Sequence, residues 1–102
     1  MYIGLDLGTS GVRALLVDEA GAPVHSAEAA LSVSHRHPGW SEQDPAAWIA
    51  AATAALQQVL ADKPAETARL RGIGLSGHMH GATLLGDDGA VLRPCMLWND
   101  TR

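Results

Sequence analysis

The segment Ile3-Gly4-Leu5-Asp6-Leu7-Gly8-Thr9-Ser10-Gly11-Val12-Arg13 constrains this chain more than any other part of it. An apolar strand carries a carboxylate at its end, a turn of small residues follows at once, and a second apolar run continues to Val17. Ile3, Leu5 and Leu7 alternate with Gly4 and Asp6, so Asp6 faces away from the leucines. Gly8 and Gly11 lack a Cβ, which lets the backbone turn tightly and a ligand approach the amides. Thr9 and Ser10 add hydroxyl donors beside those amides, a concavity suited to anionic oxygens. A carboxylate repels a phosphate directly, so the partner that suits Asp6 is Mg²⁺, reached through water because this ion sheds its hydration reluctantly. A plain β-hairpin with an aspartate in its turn competes with this reading, since such turns are common.

The turn matches neither common nucleotide signature. The pattern G-x-x-x-x-G-K-[ST] is absent, and the residues after Gly11 form strand rather than opening a helix. Any nucleotide is therefore held between two strands. That arrangement resembles the phosphate loop of the actin, Hsp70 and sugar-kinase superfamily, whose fold is ribonuclease H-like.

The rest of the chain fits an α/β domain. Strands are predicted at Tyr2–Leu7, Val12–Asp18 and Pro23–Ser32, with Asp18-Glu19-Ala20-Gly21-Ala22 as a turn, which gives an antiparallel meander. A polar loop spans Ser34 to Gln43. Asp44-Pro45 then opens a helix, with an N-cap acceptor and a proline at the first helical position. Trp48, Ala52, Ala55, Leu56, Val59 and Leu60 give that helix one apolar face, and Lys63-Pro64 stops or kinks it before a short turn at Glu66–Arg69. Leu70–Ser76 reads as a buried strand, parallel to the first because a helical crossover precedes it. A hairpin follows, with Ala82–Leu85 and Val91–Arg93 flanking Gly86-Asp87-Asp88-Gly89, and a last short strand at Cys95–Trp98. The order β-β-β-α-β plus a β-hairpin makes a mixed sheet. It places the Asp6 turn and the loop Gly77–Gly81 at the same sheet edge, where ligands bind beyond the carboxyl ends of strands.

Composition excludes several classes of partner. A net charge of −4 with seven basic residues argues against nucleic acid. No apolar run approaches the ~20 residues that span a bilayer, so no membrane partner is expected. The start Met1-Tyr2-Ile3 lacks the basic segment of a secretory signal, and a single cysteine, Cys95, makes no internal disulfide; both lead to the expectation of a cytoplasmic protein. Cys95 reads as a buried thiol in a strand. His35 and His37 beside Pro38 are too few ligands for zinc and read as solvated loop histidines.

Four segments together carry a more specific likeness: Asp6-Leu7-Gly8-Thr9-Ser10, Gly39-Trp40-Ser41-Glu42-Gln43-Asp44-Pro45, Gly77-His78-Met79-His80-Gly81 and Leu97-Trp98-Asn99-Asp100-Thr101-Arg102. In this order they resemble the amino-terminal part of an FGGY carbohydrate kinase, nearest to its xylulose-phosphorylating branch, and the resemblance runs over essentially the whole chain. It implies an actin-like ATPase fold, ATP and Mg²⁺ as cofactors, and D-xylulose as the small-molecule substrate. It places Asp6 as the acidic residue that organises the Mg²⁺–ATP phosphates, Gly8, Thr9, Ser10 and Arg13 at those phosphates, and Met79, His80 and Trp98 around the sugar. The Met79-His80 pair points to a ketose, since the glycerol-kinase branch carries Arg-Glu there.

The chemistry suits those roles. A sugar presents hydroxyls and an apolar carbon face; His80 donates or accepts with either ring nitrogen, and Met79 and Trp98 offer apolar area. The residues taken singly leave the alternatives of a His80 bonded to a backbone carbonyl and a Trp98 in the core. Trp40 reads as packed under its loop, with Glu42 and Gln43 as braces and none of the three catalytic. Asp100 and Arg102 either pair with each other or reach the site.

Residues 1–102 thus read as an incomplete amino-terminal kinase domain. By the resemblance, the catalytic base aspartate, the adenine pocket and the second phosphate loop of the carboxyl-terminal nucleotide domain are not among them. The chain alone is expected to be inactive, with an uncovered sheet face that favours self-association or marginal folding. The competing functions are another FGGY kinase acting on ribulose, glycerol or gluconate, a non-catalytic sugar- or phosphate-binding module, and a piece of an actin-like or Hsp70-like ATPase.

Overall fold

A computed structural model describes all residues, Met1 to Arg102. Strands β1 (Tyr2–Leu7), β2 (Gly11–Val17) and β3 (Pro23–Ala30) form the expected meander. A short strand β4 (Glu42–Gln43), helices α1 (Pro45–Asp62) and α2 (Pro64–Thr67), and strands β5 (Gly72–Ser76) and β6 (Cys95–Met96) follow. The main sheet runs in the order β3-β2-β1-β5. β1 pairs antiparallel with β2 and parallel with β5, as the helical crossover requires.

Helix α1 begins as its sequence dictates. Asp44 caps it by accepting from the Ala46 amide at 3.0 Å, and Pro45 opens the first turn. Its fully buried seam is Ala51, Ala55 and Val59, spaced four apart, and these small side chains bring the helix close onto β2 and β3. The core cluster joins Ala55 and Val59 to Met1, Ile3, Ala14 and Leu16, with Leu5, Val24, Ala27, Leu56 and Leu70 around it. The strand register places Ile3, Leu5, Ala14 and Leu16 on this helix-covered face, and Asp6 and Arg13 on the other.

The structure corrects three parts of the sequence reading. β5 is not buried: Ile73 is 49% exposed and Leu75 is 79% exposed, although both share a face with buried Ile3. The reason is geometric, because α1 lies over β2 and β3 and only touches β1, leaving β5 as an open edge. The end of the polar loop, Glu42–Gln43, is a strand, paired antiparallel with β6 so that Glu42 faces Met96 and Gln43 faces Cys95. The expected hairpin is reduced to one bridge, Leu85 with Val91, beside a bond from the Leu92 amide to the Leu84 carbonyl. Its first arm is tied to β6 only at Ala82, which exchanges two backbone bonds with Met96, and Leu84, Leu85, Val91 and Leu92 stay exposed. Cys95 is a buried free thiol in β6, as read from the sequence. No helix is long and apolar enough to cross a membrane.

Candidate functional site

Asp6 sits where β1 leaves the sheet, opposite Arg13 on β2 and Ser76 on β5. The Ser76 hydroxyl donates to Asp6 Oδ1 at 2.6 Å, while the second carboxylate oxygen has no partner in the chain. One oxygen is therefore fixed and the other remains available. The sequence pattern alone does not single out Ser76, yet it carries a signal: Ile73-Gly74-Leu75-Ser76 copies Ile3-Gly4-Leu5-Asp6 with the acid replaced, and the parallel register superposes the two.

The turn after Asp6 is closed by a bond from the Gly8 amide to the Gly11 carbonyl at 2.8 Å. The amides of Thr9 and Ser10 find no acceptor within the chain, which leaves two free donors at the tip. Gly11 has to be glycine, because a Cβ there would lie 2.8 Å from the Ala29 carbonyl oxygen. β2 and β3 thus close tightly beneath the turn.

Two cavities meet at this point. One, of about 430 Å³, is lined by Asp6, Gly8, Ser10, Gly11, Arg13 and Glu28, among others. The second, of about 460 Å³, is lined by Asp6, Leu7, Gly8, Thr9 and the loop residues Gly77, His78, Met79 and His80, with Trp98. Asp6 and Gly8 belong to both walls. The structure therefore brings Asp6, Gly8, Thr9, Met79, His80 and Trp98 to one crevice, and puts Ser10 and Arg13 on the adjoining side.

Within the crevice, Met79 is 72% and Trp98 62% exposed, so neither is core. His80 adopts φ 60°, the left-handed region that an L side chain occupies at a cost. No bond from its imidazole to a backbone carbonyl is present, so the ring is unengaged. Arg13 is not free in the same way: its Nε donates to Glu28 Oε1 at 2.7 Å, and its terminal nitrogen contacts the same oxygen. Glu28 is a second residue the sequence reading missed, placed opposite Arg13 only by the β2–β3 register.

A buried brace stands behind the crevice. The Gln43 side chain donates to the Thr9 carbonyl at 2.6 Å and accepts from the Trp48 indole at 2.9 Å. The Trp48 ring lies tilted against the His78 ring, centroids 5.7 Å apart.

Asp100 and Arg102 pair with each other, away from the crevice. Arg102 Nη2 meets Asp100 Oδ2 at 2.6 Å and Glu42 Oε2 at 3.1 Å, and its guanidinium lies 3.6 Å over the Trp40 ring. Arg93 adds a second cation to Glu42 at 2.8 Å. The hydrogen bond from Arg93, and then that from Arg102, holds the Glu42 carboxyl below its ordinary range. The Arg102 bonds, reinforced by the Ser41 amide, hold Asp100 well below the usual carboxylate range. His35 bonds the Trp40 carbonyl at 2.8 Å, and the His37 and Trp40 rings meet in a T-shaped pair with centroids 4.4 Å apart.

The residues present fit a phosphate chain with a hydrated divalent cation. Unpaired amides at the turn suit the phosphate oxygens, and the free oxygen of Asp6 suits water molecules on the cation.

Residues 1–102 match the model of the FGGY family of carbohydrate kinases, N-terminal domain. The chain is 50% identical to the xylulose kinase of Klebsiella pneumoniae over 102 residues, covering all of this chain and 21% of that protein. Among solved structures, a xyloylose kinase from Brucella ovis superposes with a TM-score of 0.96 at 62% identity, covering 99% of this chain and 21% of that one. The xylulose kinase of Rhodospirillum rubrum superposes with a TM-score of 0.93 at 39% identity, covering 98% and 20%. The chain thus spans about a fifth of the length of the relatives it matches, and its fold is the mixed sheet of the actin-like, ribonuclease H-like sugar kinases as a partial domain.

Proposed function

The chain belongs to the FGGY family of carbohydrate kinases, and on that premise we propose that it is the amino-terminal part of an ATP-dependent xylulose kinase. The reaction is transfer of the γ-phosphoryl of ATP to the terminal hydroxyl of D-xylulose, giving D-xylulose 5-phosphate. The observation that carries this reading is the shared wall of Asp6 and Gly8 between a donor side, with Ser10 and Arg13, and an acceptor side, with Met79, His80 and Trp98. A phosphoryl group passing from one side to the other crosses that wall.

Each residue has a role that its position supports. The Thr9 and Ser10 amides and hydroxyls hold phosphate oxygens, and Gly8 and Gly11 let them approach. Arg13 adds positive charge to the donor side, its guanidinium oriented by Glu28. Asp6, one of whose oxygens is fixed by Ser76, would hold Mg²⁺ through water with the other. Bound Mg²⁺ supplies charge neutralisation for the transferring group. His80 hydrogen-bonds ketose hydroxyls, and Met79 and Trp98 cover the carbon face. By the family resemblance the acceptor base lies outside residues 1–102, so this chain alone gives no turnover. Its place is the cytoplasm, where ATP and free sugars meet, and its exposed β5 edge favours self-association of the isolated chain.

Coupled ADP release tests the reading on the protein of the complete reading frame that carries this chain. D-Xylulose is expected to be turned over in preference to D-ribulose, glycerol and gluconate, and His80→Ala is expected to abolish xylulose binding. Equal rates on glycerol, or unchanged xylulose affinity in the variant, would refute the proposed substrate. Titration calorimetry of residues 1–102 with Mg²⁺–ATP and with D-xylulose reads the two binding capacities separately; binding of only one of them would favour a non-catalytic module that retains sugar or phosphate recognition alone. Turnover by residues 1–102 alone would overturn the assignment of the base to another part of the protein.

A further inference from the structure

Gln43 is 2% exposed and lies 34 residues from the turn it touches. Its amide is polarised by its partners. The Trp48 indole only donates, so Oε1 must face it, and the Thr9 carbonyl only accepts, so Nε2 must face that. Trp48 is anchored in the first turn of α1, so the glutamine is held from a rigid element.

The consequence reaches the donor side through peptide geometry. All peptide bonds here are trans, and in a planar trans peptide the carbonyl and the following N–H point in opposite directions. Drawing the Thr9 carbonyl inward onto Gln43 therefore turns the Ser10 N–H outward. Ser10 lines the donor-side cavity with Asp6, Gly8, Gly11 and Arg13, and its amide has no acceptor in the chain. A rotation of that peptide would present a carbonyl oxygen to the cavity in place of an N–H, reversing the dipole that a phosphate meets.

We infer that Gln43 is a positioning residue of the donor site: its buried amide, oriented by Trp48, locks the Thr9–Ser10 peptide so that the Ser10 N–H faces the phosphate. This rests on the donor-site reading proposed above and adds to it the residue that sets the donor's direction. Gln43 touches no substrate; it acts through the Thr9 carbonyl.

The test uses residues 1–102 labelled with ¹⁵N. In the native sequence the Ser10 amide has an order parameter near 0.85, as in rigid backbone, and Gln43→Leu drops it below about 0.6 while the β1 and β2 amides stay rigid. Gln43→Glu at neutral pH gives the same local loss, because a carboxylate has no proton to offer Thr9. Trp48→Phe keeps an aromatic ring beside His78 but frees Gln43 to turn, and loosens Ser10 without unfolding the chain. A merely structural role would loosen β1 and β2 along with the turn. Magnesium tripolyphosphate, added to the native chain, shifts the Ser10 amide resonance, and its Kd rises about tenfold in each variant, the equivalent of ~1.4 kcal/mol. Ser10 order unchanged in the variants, with tripolyphosphate still binding the native chain, would overturn the role of Gln43 and leave the donor site standing. No shift at Ser10 in the native chain would overturn both.

Discussion

Ile3 and Ile73 are register partners on adjacent parallel strands and share one face of the sheet, yet one is 1% and the other 49% exposed. Shortening each to valine gives a sharp test of where α1 stops covering the sheet. The substitution leaves strand preference nearly untouched, because both residues are β-branched. At Ile3 it removes one buried methylene, about 0.8 kcal/mol of transfer free energy. It also leaves a void of about 25 Å³ under Ala55 and Val59, which at about 24 cal/mol per Å³ adds roughly 0.6 kcal/mol. The sum is about 1.4 kcal/mol. At Ile73 only half of the transfer term is at stake and solvent fills the gap, so the cost is about 0.4 kcal/mol. A difference of about 1 kcal/mol is roughly fivefold in the folding constant. With a urea slope of about 1 kcal/mol per M, it separates the two midpoints by about 1 M. Urea unfolding followed by tryptophan fluorescence, at two protein concentrations tenfold apart, reads it directly. Equal losses at both positions, independent of concentration, would mean that Ile73 is covered within the monomer and would refute the open-edge description of β5. An Ile73 cost that grows with concentration would locate the covering surface on a second copy.

Two further outcomes follow from the loops. The folded-state pKa values of Glu42 and Asp100 lie below their ordinary 4.5 and 3.8, so their contribution is complete above about pH 4.5 and is lost as pH falls toward the folded values. Thermal melts are expected to weaken below about pH 4.5, and Asp100→Asn to blunt that fall; an unchanged acid slope in the variant would contradict the ion cluster. His80→Gly removes a left-handed L residue, relieving about 1–2 kcal/mol against about 0.5–1 kcal/mol of added glycine entropy, so the melting temperature is expected to rise slightly; under the proposed function, ketose binding is expected to be lost with the imidazole. A fall in melting temperature would show that the imidazole holds the loop in place.

Much of this molecule is written in short-range pattern. The alternation Ile3-Gly4-Leu5-Asp6 faces Asp6 away from the core, Asp44-Pro45 starts α1, and the crossover makes β5 parallel to β1, each by rules that act over a few residues or one connection. These suffice to bring the Asp6 turn and the Met79-His80 loop to one edge, where the structure finds them lining one crevice. Register, once strand pairing is known, also places Ser76 beside Asp6.

Other features depend on packing that no local pattern encodes. Gln43 reaches Thr9 because β4 pairs with β6 and α1 seats Trp48 behind it, a meeting of four separate segments. Arg102 turns onto Trp40, Glu42 and Asp100 rather than into the crevice, because charge compensation for a nearly buried carboxylate outweighs proximity along the chain. The apolar run Ile73-Gly74-Leu75 is the same sequence whether its face is covered or open; only the position of α1 over β2 and β3 leaves it open here. Local pattern set the main strands, the start of α1 and the sheet edge shared by the Asp6 turn and the Met79-His80 loop, but not the strand Glu42–Gln43, which exists only through its pairing with β6. The tertiary structure decided which side chains are buried and which polar atoms meet, since those depend on distances between elements far apart in the chain.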